Sequence, residues 1–96
     1  MGRVSRLVEK IRRAVREDRF LVSYHADERR QERVVSIWQI ATGFEDAAVV
    51  RERPTSRPYP SVVVRQFLPD ETEVEVIRAW LSRTRRANLA TVFFPD

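Results

Sequence analysis

The chain has no cysteine, only two glycines and a single lysine among its 96 residues. Without cysteine, the protein cannot form a disulfide, a thiolate nucleophile or a cysteine-based zinc site. Two isolated glycines, Gly2 and Gly43, exclude a glycine-rich phosphate loop. No apolar run approaches the ~18–20 residues needed to cross a bilayer, and the N-terminal segment MGRVSRLVEKIRR is charged and periodic, unlike a signal peptide. We therefore expect a soluble cytoplasmic protein that folds around its hydrophobic core alone.

The length of the chain indicates how many domains it can form, and its charge indicates which kind of partner it suits. A chain of 96 residues has room for one domain, spanning residues 1–96. Its net charge is +4, and 17 of its 18 basic residues are arginine. The guanidinium group binds phosphate oxygens in pairs and stacks on bases, so this composition suits a nucleic-acid partner. A GC-rich genome, which writes arginine for lysine, explains the same composition without any partner.

Two stripes of residues share the helical period near the N-terminus. The apolar stripe predicts a helix over residues 3–17. The basic stripe lies on another face, and it is either a nucleic-acid contact or the solvated side of a surface helix. The apolar members are Val4, Leu7, Val8, Ile11, Ala14 and Val15, and the basic members are Arg3, Arg6, Lys10 and Arg13.

The rest of the chain predicts a short strand, a second helix and then a sheet. FLVSY (20–24) suits a brief strand, and Ser36 and Gly43 suit the N-cap and C-terminal cap of a helix around IWQIAT. Four strand candidates follow, namely DAAVVRER, SVVVRQFL, EVEVIRAWL and NLATVFF, with hairpin turns expected at Pro69-Asp70 and near Asn88. The predicted fold class is α+β, with two or three N-terminal helices packed on a four-stranded antiparallel sheet.

The segment SYHADERRQER (23–33) contains the only histidine. If it is helical, His25, Arg29, Glu32 and Arg33 share one face. One interpretation is a structural Arg–Glu network, because a buried charge must be paired. The other is an active site, since histidine exchanges protons near neutral pH and arginine stabilises phosphoryl charge.

Two arginines on the predicted strands are further candidates. In EVEVIRAWL, Arg78 shares a face with valines and Trp80, and Arg65 alternates with Val64 and Gln66 in SVVVRQF. Each is either part of a phosphate clamp or a structural side chain, which reaches the sheet edge or pairs with Glu73 or Glu75.

Other chemistries have less support. A single imidazole near Asp27 and Glu28 makes a poor metal site, so we expect no metal and no cofactor. Ser23 and His25 need not meet as a nucleophile pair, and no oxyanion turn is visible in the sequence.

The spacing S-x-H-A-x-x-R-x-x-E-R, seen in residues 23–33, resembles the domain of unknown function 4258 family, as do the short apolar helix ending in glycine and the terminal TVFFPD. The layout of that family is similar to the small ribonuclease fold of RelE-type and BrnT-type toxins. In those toxins RNA lies on a basic sheet face, and metal-free cleavage uses the ribose 2′-hydroxyl. The resemblance implies RNA and a cognate antitoxin-like protein as partners.

Our first hypothesis is a toxin-like ribonuclease without metal. His25 would be its general acid or base, Thr91 would hydrogen-bond the substrate, and the phosphate would be held by arginines. The catalytic candidates are His25, Arg29 and Thr91, and the nucleic-acid-binding candidates are Arg33, Arg65 and Arg78. The alternative is a non-catalytic module that binds protein or nucleic acid, in which His25, Arg29 and Glu32 form a structural network.

The predicted strands also indicate whether the chain associates with a second copy or another partner. Apolar side chains occur on both faces of the predicted strands 62–64, 76–81 and 88–94, whereas helices on one side cover only one face. This pattern predicts a homodimer or an obligate partner. A strongly twisted sheet wrapped by the N-terminal helix would instead leave a monomer.

Overall fold

The computed structural model describes residues 5–22, 40, 44, 47–68 and 71–94. Within these ranges the chain forms one α-helix and five strands. In chain order they are α1 (Arg6–Arg16), β1 (Phe20–Val22), β2 (Ala48–Arg53), β3 (Ser61–Phe67), β4 (Glu73–Leu81) and β5 (Arg86–Phe93).

Helix α1 begins where the sequence supplies an N-cap. The hydroxyl of Ser5 accepts a hydrogen bond from the backbone N–H of Val8 at 3.1 Å, which satisfies one of the amides left free in the first turn. Val8, Ile11 and Ala14 form the buried face of the helix and Leu7 and Val15 pack beside it, so the predicted apolar stripe is confirmed from Leu7 to Val15. Burying a side chain such as Ile11 stabilises the fold by about 1.5–3 kcal/mol.

The five strands form one mixed sheet with the order β1-β5-β4-β3-β2. Strands β2 to β5 follow each other as antiparallel neighbours, as the short connections between them predict. Strand β1 pairs parallel with β5, and Phe20 lies beside Ala87. The chain thus leaves the sheet at one edge after β1 and re-enters at the opposite edge in β2.

The core lies between α1 and one face of the sheet. Alternate residues of β3 and β4 point toward the helix, and Leu89 and Val92 of β5 join them. The sheet residues of this cluster are Val62, Val64, Val74, Val76, Trp80, Ala87, Leu89 and Val92. We call the opposite side of the sheet the far face.

The predicted fold class is wrong in two respects. Only one helix, α1, is described along its length, rather than two or three, and the predicted helix after Ser36 lies outside the described residues except for Ile40, which is helical. The sheet has five strands and is mixed, rather than four-stranded and antiparallel. The physical reason is β1: its three residues carry too little pattern to show a partner that lies 67 positions further along the chain, from Phe20 to Ala87.

The turn before β5 is also displaced from its predicted place. Residues 82–85 form the β4–β5 turn, whereas Asn88 lies inside β5 opposite Ala79. The turn predicted at Pro69-Asp70 is outside the described residues.

In the part of the chain that the structure describes, no helix combines the length and the apolar character that crossing a membrane requires.

Candidate nucleic-acid interface

The C-terminal end of α1 is built to turn the chain back toward β5. The N–H of Asp18 donates to the carbonyl of Val15 at 3.1 Å, and the N–H of Arg19 donates to the carbonyl of Ala14 at 2.7 Å. These two bonds form a Schellman motif, which requires a left-handed residue after the helix. Asp18 takes that conformation with φ of 60°, a position that usually belongs to glycine.

The β4–β5 turn meets this helix end. Arg85 has φ of 56°, and its carbonyl oxygen accepts a hydrogen bond from Nη1 of Arg19. The carbonyl of Arg19 in turn accepts from the N–H of Ala87 at 3.1 Å. Backbone and side-chain bonds therefore fix the end of α1 beside the start of β5.

A groove of about 730 Å³ lies between α1 with its C-terminal end and the β4–β5 turn, and we call it the α1 groove. Trp80, which is 8% exposed, contributes an aromatic surface to its lining, while Ser82 and Thr84 contribute hydroxyls from the turn. The lining residues are Lys10, Arg13, Glu17, Arg19, Trp80, Ser82, Thr84 and Arg85.

The groove continues along α1 as a basic surface. A second depression, of about 470 Å³, shares Lys10 and Arg13 with the α1 groove and is otherwise lined by Arg6, Glu9 and Arg16. Together the two depressions present six cationic and two acidic side chains. This excess of positive charge in a concave surface attracts polyanions and raises their local concentration.

One of the two acids, Glu17, is paired inside the α1 groove. Its Oε1 accepts from Arg19, with Nη2 at 2.8 Å and Nε at 2.9 Å, and its Oε2 lies 3.4 Å from Nε of Arg13. The hydrogen bond from Arg19 is the main cause that holds the pKa of Glu17 below its ordinary value of 4.5, with smaller contributions from the charges of both arginines. Glu17 is therefore ionised at neutral pH.

The predicted site residues lie on different sides of the sheet. Thr91 pairs with Ile77 on the far face, and Arg65 is exposed on the same face, where its Nε lies 3.3 Å from Glu73. Arg78 faces the core and is 1% exposed. The structure thus does not bring Arg65, Arg78 and Thr91 together. His25, Arg29 and Arg33 lie outside the described residues.

Arg78 occupies a buried polar position. Its Nη2 donates to the carbonyl of Ile40 at 2.8 Å and to Oε1 of Gln66 at 2.9 Å, and its guanidinium stacks on the ring of Phe44 at 4.6 Å. Its Nε has no hydrogen-bond partner within the described ranges. Burial lowers the pKa of Arg78 to about 9, so it still carries its charge at neutral pH. These contacts hold the guanidinium in the core, away from any ligand in solvent.

The residues of the α1 groove were only partly predicted. The basic stripe on the first helix includes Arg6, Lys10 and Arg13, whereas Arg19 and Arg85 lie outside every predicted site. The run SRTRR between two strand patterns is the local signal that indicates a basic turn here. Its position beside the helix end depends on the pairing of β1 with β5, which local sequence does not show.

Comparison of the chain with protein-family models, curated proteins and solved structures finds no match. In the described ranges, no three histidine, aspartate or glutamate side chains are grouped so that they could hold a metal ion.

Proposed function

We propose that the protein binds single-stranded RNA in the α1 groove. The observation that carries this proposal is the clustering of Lys10, Arg13, Arg19 and Arg85 around one concave surface. Cationic side chains spaced along a groove follow a phosphate backbone, and the counterions released on binding supply most of the affinity.

The other groove residues suit a nucleic-acid strand. The indole of Trp80 offers an apolar surface for a base, and its small exposed area limits the extent of that contact. Ser82 and Thr84 can donate to or accept from a ribose 2′-hydroxyl, which is the group that distinguishes RNA from DNA. RNA is also the partner that the family resemblance implies, and a cytoplasmic location belongs to the same proposal.

Binding is better supported than cleavage. Thr91 lies on the far face, whereas Trp80, which lines the α1 groove, faces the core side of the sheet. The catalytic role of His25 stays a prediction, as does the cognate antitoxin-like partner. Incubation of RNA with the purified protein and with its His25→Ala variant tests catalysis: cleavage by the first alone would support the ribonuclease hypothesis.

The binding proposal is tested with a short fluorescein-labelled single-stranded RNA and fluorescence anisotropy. The variant Lys10→Glu/Arg13→Glu reverses two charges in the groove, and we expect it to bind at least about tenfold more weakly. The control Arg51→Glu/Arg53→Glu makes the same change in net charge on β2, two strands away from β4. Both β2 residues are exposed, so their reversal should perturb the fold little.

Two outcomes would overturn the proposal. Equal losses in the two double variants would mean that binding follows net charge and does not depend on the α1 groove. Absence of RNA binding at low salt would remove RNA as the ligand. If a DNA strand of the same sequence binds as tightly as the RNA, the groove remains a nucleic-acid site, but the 2′-hydroxyl has no role in recognition.

A further inference from the structure

The carboxylate of Glu17 lies between two guanidinium groups in the α1 groove. One oxygen accepts from Arg19 through both Nη2 and Nε, and the other oxygen faces Nε of Arg13. A carboxylate held by two arginines has the charge and the oxygen spacing of part of a phosphate group. The side chains of Arg13, Glu17 and Arg19 are 76%, 48% and 35% exposed, so a ligand in solvent can reach this position.

The guanidinium of Arg19 is held in place independently of Glu17. Its Nη1 donates to the carbonyl of Arg85, which leaves the edge formed by Nε and Nη2 directed at the carboxylate. The backbone of Arg19 is fixed on both sides, because its N–H donates to Ala14 and its carbonyl accepts from Ala87. A planar donor fork that is already oriented loses little conformational entropy when it binds a phosphate.

We propose that Arg13 and Arg19 form a phosphate subsite, which the carboxylate of Glu17 occupies in the free protein and which a phosphate of the bound strand takes over. This inference depends on the proposed RNA binding. It adds that the carboxylate of Glu17 competes with the RNA phosphate for the two arginines. Glu17 is the C-cap residue of α1 and lies outside the core, so its side chain can rotate into solvent without loss of packing. Its charge thus limits the affinity of the groove for phosphate.

Replacement of Glu17 by alanine tests the proposal, with Glu9→Ala as the matched control. Glu9 lies on the same helix, lines the neighbouring depression and pairs with Arg12, which does not line the α1 groove. Both substitutions remove one negative charge. We expect Glu17→Ala to tighten RNA binding by about two- to fivefold, the range of an exposed ion pair, and Glu9→Ala to change it less. Equal effects of the two substitutions, or weaker binding by Glu17→Ala, would overturn the subsite.

A titration with inorganic pyrophosphate separates this inference from the RNA proposal. We expect pyrophosphate to shift the NMR signal of the Arg19 Nε–H group, and to do so at lower concentration in Glu17→Ala than in the unmodified protein. If that holds while no variant binds RNA, the subsite stands and the RNA proposal fails. If RNA binds but pyrophosphate leaves the Arg19 signal unchanged in both proteins, RNA binding stands and the subsite is wrong.

Discussion

Arg78 of β4 lies opposite Val62 of β3, and its side chain extends along the sheet to Gln66. The side chains of Gln66 and Arg78 donate to the same carbonyl oxygen, that of Ile40. Gln66 and Arg78 are both 1% exposed. Each buried donor or acceptor in this group would cost free energy without its partners, so the three groups are coupled.

We expect Arg78→Ala and Gln66→Ala each to lower the free energy of unfolding by about 2–4 kcal/mol, because each leaves buried polar groups unpaired and a cavity behind. The double variant should lose less than the sum of the two, with a coupling energy of about 0.5–3 kcal/mol. Urea denaturation followed by circular dichroism measures all three variants. Arg65→Ala is the control, and its exposed ion pair with Glu73 predicts a change within about 0.5 kcal/mol. Strictly additive losses would contradict the coupling.

The lowered pKa of Arg78 predicts an unusual alkaline behaviour. Its pKa is about 9 in the folded state, against an ordinary value of 12.5, so the unfolded chain binds more protons between these two pH values. The stability of the protein relative to Arg78→Met should therefore rise with pH above about 9, by up to about 1.4 kcal/mol per pH unit. Urea denaturation of both proteins between about pH 8 and pH 11 checks this. A constant difference would show that Arg78 keeps its proton throughout.

The left-handed conformation of Asp18 offers a stabilising substitution. An L-residue pays a steric penalty at φ of 60°, and a negative charge at the C-terminal end of a helix is unfavourable. Asp18→Gly should therefore raise the free energy of unfolding by about 0.5–1 kcal/mol. Asp18→Asn removes the charge alone and should give a smaller gain. Thermal denaturation compares the two, and a loss of stability in Asp18→Gly would contradict this account of the helix end.

The basic surface predicts a steep salt dependence. If RNA is bound, the logarithm of its affinity should fall linearly with the logarithm of salt concentration. Replacing Arg6, Lys10 and Arg13 together by glutamine should reduce that slope by up to about 2, since each phosphate contact on a single strand contributes about 0.7. Anisotropy titrations between about 50 and 200 mM salt measure the slope. An unchanged slope would place the RNA away from α1.

Two aromatic side chains are exposed on the far face, where they could contact a second copy of the chain in the predicted dimer. Phe67 is 62% exposed and Phe93 is 48% exposed, and they flank β4 on this face. Exposed aromatic side chains on an open sheet face favour a second copy as the partner, so we expect a concentration-dependent dimer. Sedimentation at micromolar concentration should show it, and Phe67→Ser/Phe93→Ser should weaken it. A species of about 11 kDa that stays monomeric throughout would contradict the dimer and favour the alternative of a self-contained sheet.

The sequence by itself determined the local elements, because each has its own period. The apolar stripe containing Val8 and Ile11 specified the buried face of α1, and the alternation in EVEVIRAWL specified β4 and placed Arg78 on the same face as its valines and Trp80. Short connections specified the antiparallel order of β2 to β5.

Tertiary structure alone decided where these elements meet. The parallel pairing of β1 with β5 joins residues far apart in the chain, and no local pattern encodes such a pairing. That pairing places Arg19 beside Arg85 and so creates the α1 groove. The register of β3, β4 and β5 separated Arg65 and Thr91 from Arg78, because side chains alternate between the two faces of a sheet. Residue type alone grouped these three as one site, whereas the pleat of the sheet placed them on opposite sides of it.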